Sequence, residues 1–268
     1  MLLLSDVGNT QTVIGIYDDE SSGEGSYRAI WRMRTDKLAT ADDVRSRLLP
    51  LFMAAGIEVS EISRACFASV VPSLTISWSH AIEKTWGIEP ICCTAKVAHE
   101  SGLFVADYPN PNEIGSDRVA DAIAARELYG DPVVVVDFGT ATNIEVIDSR
   151  GCFIGGIIAP GIITGANALF ADAAQVATTG VALPDGVIGK STSQAVQSGV
   201  VFGEVGRVDG LLSRIFEELG GECTVVATGG LVHTVSRLSK HITYVCPELT
   251  FDGLRILARA METGKGSR

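Results

Sequence analysis

The sequence predicts a duplicated α/β protein with two similar lobes and a cleft between them. Three observations lead there. The chain has 268 residues, 46% of them hydrophobic and 20% charged, which suits a core-rich protein of one large or two ordinary domains. One motif occurs twice, about half a chain apart: Asp6-Val7-Gly8-Asn9-Thr10-Gln11-Thr12-Val13 and Asp137-Phe138-Gly139-Thr140-Ala141-Thr142. Each copy is flanked by apolar runs, and each is followed by a third strand signal, a helix signal and a buried strand signal.

In the first half, Leu2–Val7, Thr12–Tyr17 and Tyr27–Arg34 read as strands, joined across Glu20–Ser26 by a polar loop. Thr40 with Asp43 forms a rough capping box, and Val44, Leu48, Leu51 and Phe52 keep helical spacing until Gly56. Arg64–Val70 reads as a buried strand, and Pro72 opens a helix through Trp86. Lys96–Asn112, with Pro109 and Pro111, is the expected junction, giving lobes 1–112 and 113–268.

The second half repeats the rhythm. Pro132–Asp137, Asn143–Asp148 and Cys152–Ile158 read as strands, and a helix follows over Ile162–Ala173. A less regular stretch, Thr178–Lys190, precedes a long helix over Thr192–Leu219. Cys223–Thr228 is a buried strand that ends in Gly229-Gly230. A last helix covers Phe251–Met261, ahead of a frayed tail.

Composition excludes several functions. The net charge is −11 without a long Lys/Arg cluster, so a nucleic-acid partner is not expected. Any anion site must be local, built from a few cations, a metal ion or backbone N–H groups. No apolar stretch is long enough to span a bilayer, and the Leu2-Leu3-Leu4 run reaches Asp6 too soon for a signal-peptide core. A cytoplasmic protein away from membranes is expected. The six cysteines show no Cys-x-x-Cys spacing and read as small apolar residues.

The repeated turn suits phosphate. Its glycine allows a close backbone approach, its hydroxyl and N–H groups match phosphate oxygens, and its carboxylate suits a hydrated cation. A second turn, Asn110-Pro111-Asn112-Glu113-Ile114-Gly115-Ser116-Asp117-Arg118, leads into a helix with the inner face Val119, Ala120, Ile123 and Ala124. Asp117 there is either a helix cap or an ionised group that orients a substrate hydroxyl beside Arg118. Thr228-Gly229-Gly230 can lie flat against an adenine or ribose, or simply turn the chain. Ile188-Gly189-Lys190-Ser191-Thr192 resembles the end of a Walker A loop. Position 184 is Pro where that loop needs Gly, and no strand precedes it, so the Walker reading is rejected.

Taken in order, these motifs together with Ser69-Val70-Val71-Pro72 and Gly155-Gly156-Ile157-Ile158-Ala159-Pro160-Gly161 resemble type III pantothenate kinase. The resemblance runs from Leu2 to Leu257. It implies the fold of actin, sugar kinases and heat-shock ATPases: duplicated ribonuclease H-like lobes, each a mixed sheet with flanking helices. The implied activity is phosphorylation of pantothenate by ATP, the first step of coenzyme A biosynthesis, with Mg2+ and a monovalent cation, K+ or NH4+.

The resemblance also implies roles. Asp6 faces magnesium and the ATP phosphates, and Val7, Gly8, Asn9, Thr10, Gln11, Thr12 and Val13 hold those phosphates. Thr140, Gly229 and Gly230 meet the nucleotide, and Asp137 binds the monovalent cation. Tyr108, Gly115, Ser116, Arg118 and Thr192 hold pantothenate, and Asp117 is the base on its primary hydroxyl. Ser116, Asn143, Glu145, Gly165 and Ser191 depart from the family's commoner residues. Family members pair as homodimers. The apolar positions from Val196 to Phe216 on the long helix fit such a pairing, and equally fit a central core helix. The rival functions are a transcription accessory factor of the same fold and a related small-molecule kinase or phosphatase.

Overall fold

The computed structural model describes residues 1–19, 25–172 and 182–265. The expectations for the Glu20–Ser26 loop, the helix end at Ala173, the opening of the Thr178–Lys190 segment and the tail fall wholly or partly outside them. The first strands are β1 (Leu2–Val7), β2 (Gln11–Asp18) and β3 (Ser26–Arg34), then α1 (Ala41–Ala54), β4 (Arg64–Ser69), α2 (Pro72–Trp86), β5 (Ile91–Cys92) and α3 (Ala95–Glu100). After α4 (Ser116–Tyr129) come β6 (Val133–Phe138), β7 (Ala141–Ile147), β8 (Phe153–Pro160), α5 (Ile162–Asp172), α6 (Thr192–Leu219), β9 (Thr224–Thr228), α7 (Val232–Val235), β10 (Tyr244–Val245) and α8 (Leu249–Lys265).

The duplication is real at the level of topology. One sheet has the order β3-β2-β1-β4-β5 and the other β10-β9-β6-β7-β8. In each, the first three strands form an antiparallel meander, and the fourth and fifth add in parallel beside the first. The fifth strands β5 and β10 are two residues long, too short for any periodicity to betray them. The Lys96–Asn112 stretch is not all loop, because α3 begins at Ala95, capped by the Thr94 hydroxyl accepting from the Val97 N–H at 3.1 Å.

The compact units do not follow a cut at 112/113. The first holds Met1–Ala124 and takes back the chain from Leu249; the second is Ala125–Glu248. The physical cause is α8. Phe251 lies against Gly15 of β2, and a Cβ on Gly253 would stand 1.9 Å from the Ala120 carbonyl oxygen. Thr250 Oγ1 donates to Asp121 Oδ1 at 2.7 Å. The last helix therefore belongs to the first unit.

Sheet parity decides where the carboxylates point, since alternate side chains face opposite sides. In the first unit Leu3 and Val7 of β1 face a core with Val44, Leu48 and Phe52 of α1 and Leu74, Trp78 and Ile82 of α2. The Thr40–Asp43 capping box holds the start of α1, worth about 1 kcal/mol. In the second unit Val134, Val136 and Phe138 of β6 face Val205, Val208, Leu212 and Phe216 of α6. Asp6 and Asp137 each lie one residue out of phase with these apolar positions. Each is thus displayed on the sheet face turned away from that core, at the strand's carboxyl end.

Candidate active site

The first turn is a tight hairpin in which the Gly8 N–H donates to the Gln11 carbonyl at 3.1 Å. A Cβ on Gly8 would come within 2.8 Å of that oxygen, so the closure needs glycine. Asn9, Thr10 and Gln11 are exposed, and Asp6, Gly8 and Val13 are partly so. Val7 and Thr12 instead turn inward, which leaves them as supports. Thr35, which the sequence reading passed over, braces the turn: its hydroxyl donates to the Gly8 carbonyl at 2.7 Å and lies 2.9 Å from the Thr12 hydroxyl. Its N–H donates to the Thr10 carbonyl at 3.0 Å, and Lys37 Nζ donates to Asn9 Oδ1 at 3.0 Å. No local pattern announces these contacts, because they arise from β3 lying beside β2.

The second turn is one residue shorter. Asp6 pairs with Val13, seven residues on, whereas Asp137 pairs with Asn143, six on. The Gly139 N–H donates to the Ala141 carbonyl at 3.0 Å. Three neighbours clamp this turn. The Thr140 carbonyl accepts from the Gly161 N–H at 3.1 Å and from the Thr164 hydroxyl at 2.6 Å. Thr142 Oγ1 donates to Glu204 Oε1 of α6 at 2.6 Å; Glu204 pairs with Arg207, which donates to the Pro160 carbonyl at 2.8 Å. Glu204 and Arg207 carried no signal in the sequence, since α6 is distant along the chain. Gly229 presses on Asp137: its φ is 94°, and a Cβ there would stand 2.4 Å from Asp137 Oδ1. Only glycine fits there.

The third element is the start of α4. Ser116 is buried and bolts the helix to β4, its hydroxyl donating to the Ser69 carbonyl at 2.8 Å and accepting from the Ser69 N–H at 2.9 Å. Asp117 is partly buried, with Oδ1 accepting from the Arg118 N–H at 2.7 Å. Gly115 leaves room for it; a Cβ there would lie 2.6 Å from the same oxygen. Burial raises the Asp117 pKa, outweighing the Arg118 N–H and the Arg118 charge, which lower it. The helix-start setting alone predicts only a strongly ionised acid. Burial instead makes this carboxylate a better proton acceptor. Cys93 lies behind, its thiol donating to the Ser116 carbonyl at 3.6 Å, and burial pushes that thiol well above its usual range, so it is inert packing.

Thr192 is the first residue of α6 behind the cap Ser191, whose hydroxyl accepts from the Gln194 N–H at 3.2 Å. It lines a groove of about 600 Å³ between α5 and α6, together with Gly161, Gly165, Gly199, Gly203, Glu204 and Arg207. Tyr108 is half-buried, and Gly230 is exposed beyond Gly229.

Among the described residues no group of three or more His, Cys, Asp and Glu side chains is placed to hold a metal. The carboxylates in the two turns are single hard oxygen donors. That fits Mg2+, which keeps waters and takes one or two carboxylates together with substrate phosphates. Of the two, the Asp6 carboxylate is the one expected to meet Mg2+, and Asp137 is the one expected to meet the monovalent cation.

The fold is shared with solved structures of low sequence identity. A protein assigned as a 2-dehydro-3-deoxygalactonokinase from Sinorhizobium meliloti superposes with a TM-score of 0.57 at 14% identity, covering 97% of each chain. One assigned to the Baf family of transcriptional activators, from Campylobacter jejuni, gives 0.59 at 18% identity, covering 97% of this chain and 99% of the other. Two meander-plus-parallel sheets, each with an Asp-x-Gly turn, make the actin-like fold. The family model of type III pantothenate kinase matches residues 2–214. A type III pantothenate kinase from Koribacter versatilis is 38% identical over 262 residues, covering 96% of this chain and 94% of that one. The chain belongs to the type III pantothenate kinase family.

Proposed function

We propose that the protein transfers the terminal phosphoryl group of ATP to the primary hydroxyl of pantothenate, opening coenzyme A biosynthesis. Family membership supports the reaction, and one feature of the geometry supports its chemistry. Asp117 is half-buried, raised in pKa and seated at a helix start between Gly115 and Arg118. In this reading Asp117 takes the hydroxyl proton. The transition state is loose, so the proton leaves late and a modest base suffices. Arg118, Tyr108, Gly115 and Ser116 hold the acceptor, and Thr192 adds a hydroxyl. The Gly8–Gln11 turn and Thr140 position the phosphates, with Gly229 and Gly230 beside the nucleoside. Asp6 would hold Mg2+, which would neutralise charge on the phosphates, and Asp137 would hold a monovalent cation. No helix among the described residues is long and apolar enough to cross a membrane.

A coupled assay of ADP release across acceptors tests this. Turnover with pantothenate, ATP, Mg2+ and K+, and none with sugars or acetate, is the expected result. A clean, folded protein that turns over no pantothenate at millimolar ATP would sink the reading. The transcription-factor alternative draws on no observation beyond a shared fold.

We also propose a homodimer that pairs through the second unit, which leaves a half-buried apolar groove on α6 at Val196 and Val200. Isologous pairing sets this surface against its copy. Light scattering at micromolar concentration is expected to give twice the 28.2 kDa chain mass. A fully active monomer would count against it.

A further inference from the structure

An acidic chain that binds a nucleotide must supply its cations locally, and one strand of the first unit carries them in a row. β3 is the outer strand of its sheet, and it alternates. Trp31 and Met33 pack toward the α1–α2 core. Arg32 and Arg34 therefore project from the other face, and both are exposed. Register fixes what they lie beside. Arg34 is opposite Gln11 of the first turn, and Arg32 is opposite Val13, which is itself opposite Asp6. Paired residues share a face, so Asp6, Val13 and Arg32 form one row across three strands, roughly 10 Å from end to end.

A third cation comes from the loop beyond β3, where Lys37 bonds to Asn9 at the tip of the turn. The neighbouring acids are occupied elsewhere: Asp36 is held by Arg47 at 2.7 Å and Asp18 by Arg28 at 3.6 Å. Among the described residues neither Arg32 nor Arg34 has an ion pair or side-chain hydrogen bond. Two unpaired guanidinium groups and an ammonium thus surround a turn whose N–H groups and single carboxylate already suit a metal-bound polyphosphate.

We infer that Arg32, Arg34 and Lys37 form the cationic wall that receives the nucleotide's phosphates at the Gly8–Gln11 turn. The inference rests on reading that turn as the phosphate site. It assigns phosphate recognition to an edge strand, where arginine is otherwise placed to discourage pairing with another chain. Guanidinium suits the task, because its planar fork meets phosphate oxygens two at a time.

The test is calorimetric titration of ATP and adenosine into the full chain, beside steady-state kinetics. In Arg32→Gln/Arg34→Gln, ATP affinity is expected to fall about 10- to 100-fold and KM for ATP to rise to match. Adenosine affinity, KM for pantothenate and Tm are expected to hold. Arg32→Lys/Arg34→Lys should recover part of the ATP affinity, and Lys37→Ala should add a smaller loss. Unchanged ATP affinity in the Gln pair, or equal losses for ATP and adenosine, overturns the inference and leaves edge protection as the role of the strand. Wild-type protein that binds ATP yet phosphorylates no pantothenate would remove the proposed acceptor and leave this inference standing.

Discussion

Asp117→Asn is expected to fold normally and to lose about 100- to 10,000-fold in kcat, with KM for pantothenate little changed. The amide oxygen can still accept from the Arg118 N–H, and the substitution preserves the volume that Gly115 leaves open. What it removes is the proton acceptor. Stability should not fall at neutral pH, and the sign follows from linkage. Burial raises the carboxyl pKa, so the folded state disfavours the ionised form. That costs stability as pH rises from the unfolded value through the folded one, and a neutral amide escapes the cost. The same shift fixes the acid limb of activity. In the wild type kcat/KM should fall, as pH drops, at a pH above that of an ordinary aspartate near 3.8. A variant with near-wild-type turnover, or a wild-type acid limb below that value, would reduce Asp117 to a helix cap.

Asp137→Ala is expected to lose about 100-fold or more in turnover and to lose its response to K+ and NH4+. Asp137 ends an apolar strand, and a Cβ on Gly229 would stand 2.4 Å from its Oδ1. Rates in KCl, NH4Cl and NaCl measure the activity, and the Tm difference between KCl and NaCl reads the cation without turnover. The wild type should show that difference and the variant should not. Full wild-type activity in sodium alone would contradict the assignment. Thr142 and Glu204 belong to the clamp on the same turn, so the variant's fold should be checked against its Tm in NaCl.

The local chemistry of both turns was legible in the sequence because it is local. Hairpin closure at Gly8 and the glycine at the end of β9 follow from which residues tolerate close backbone approach. The strands β1 and β6 were legible because apolar runs ending in Asp-x-Gly have few other uses. The edge strands β5 and β10 were not, because two residues carry no period. Burial of Asp117 was not, because the start of α4 is held to the end of β4 by the Ser116–Ser69 bonds across 47 residues.

The sequence by itself determined the duplication, the order of the longer strands and helices, the long helix from Thr192 to Leu219, and the family, since each depends on periodicity or on ordered short motifs. Only the tertiary structure decided which unit holds α8, that Thr35 and Glu204 brace the two turns, and that Arg32 stands in a row with Asp6 while Arg34 lies opposite Gln11. Those facts depend on strand register and on a glycine, Gly253, that lets one helix touch the Ala120 carbonyl of another. Register and close packing join residues far apart in the chain, and no local pattern encodes the distance between them.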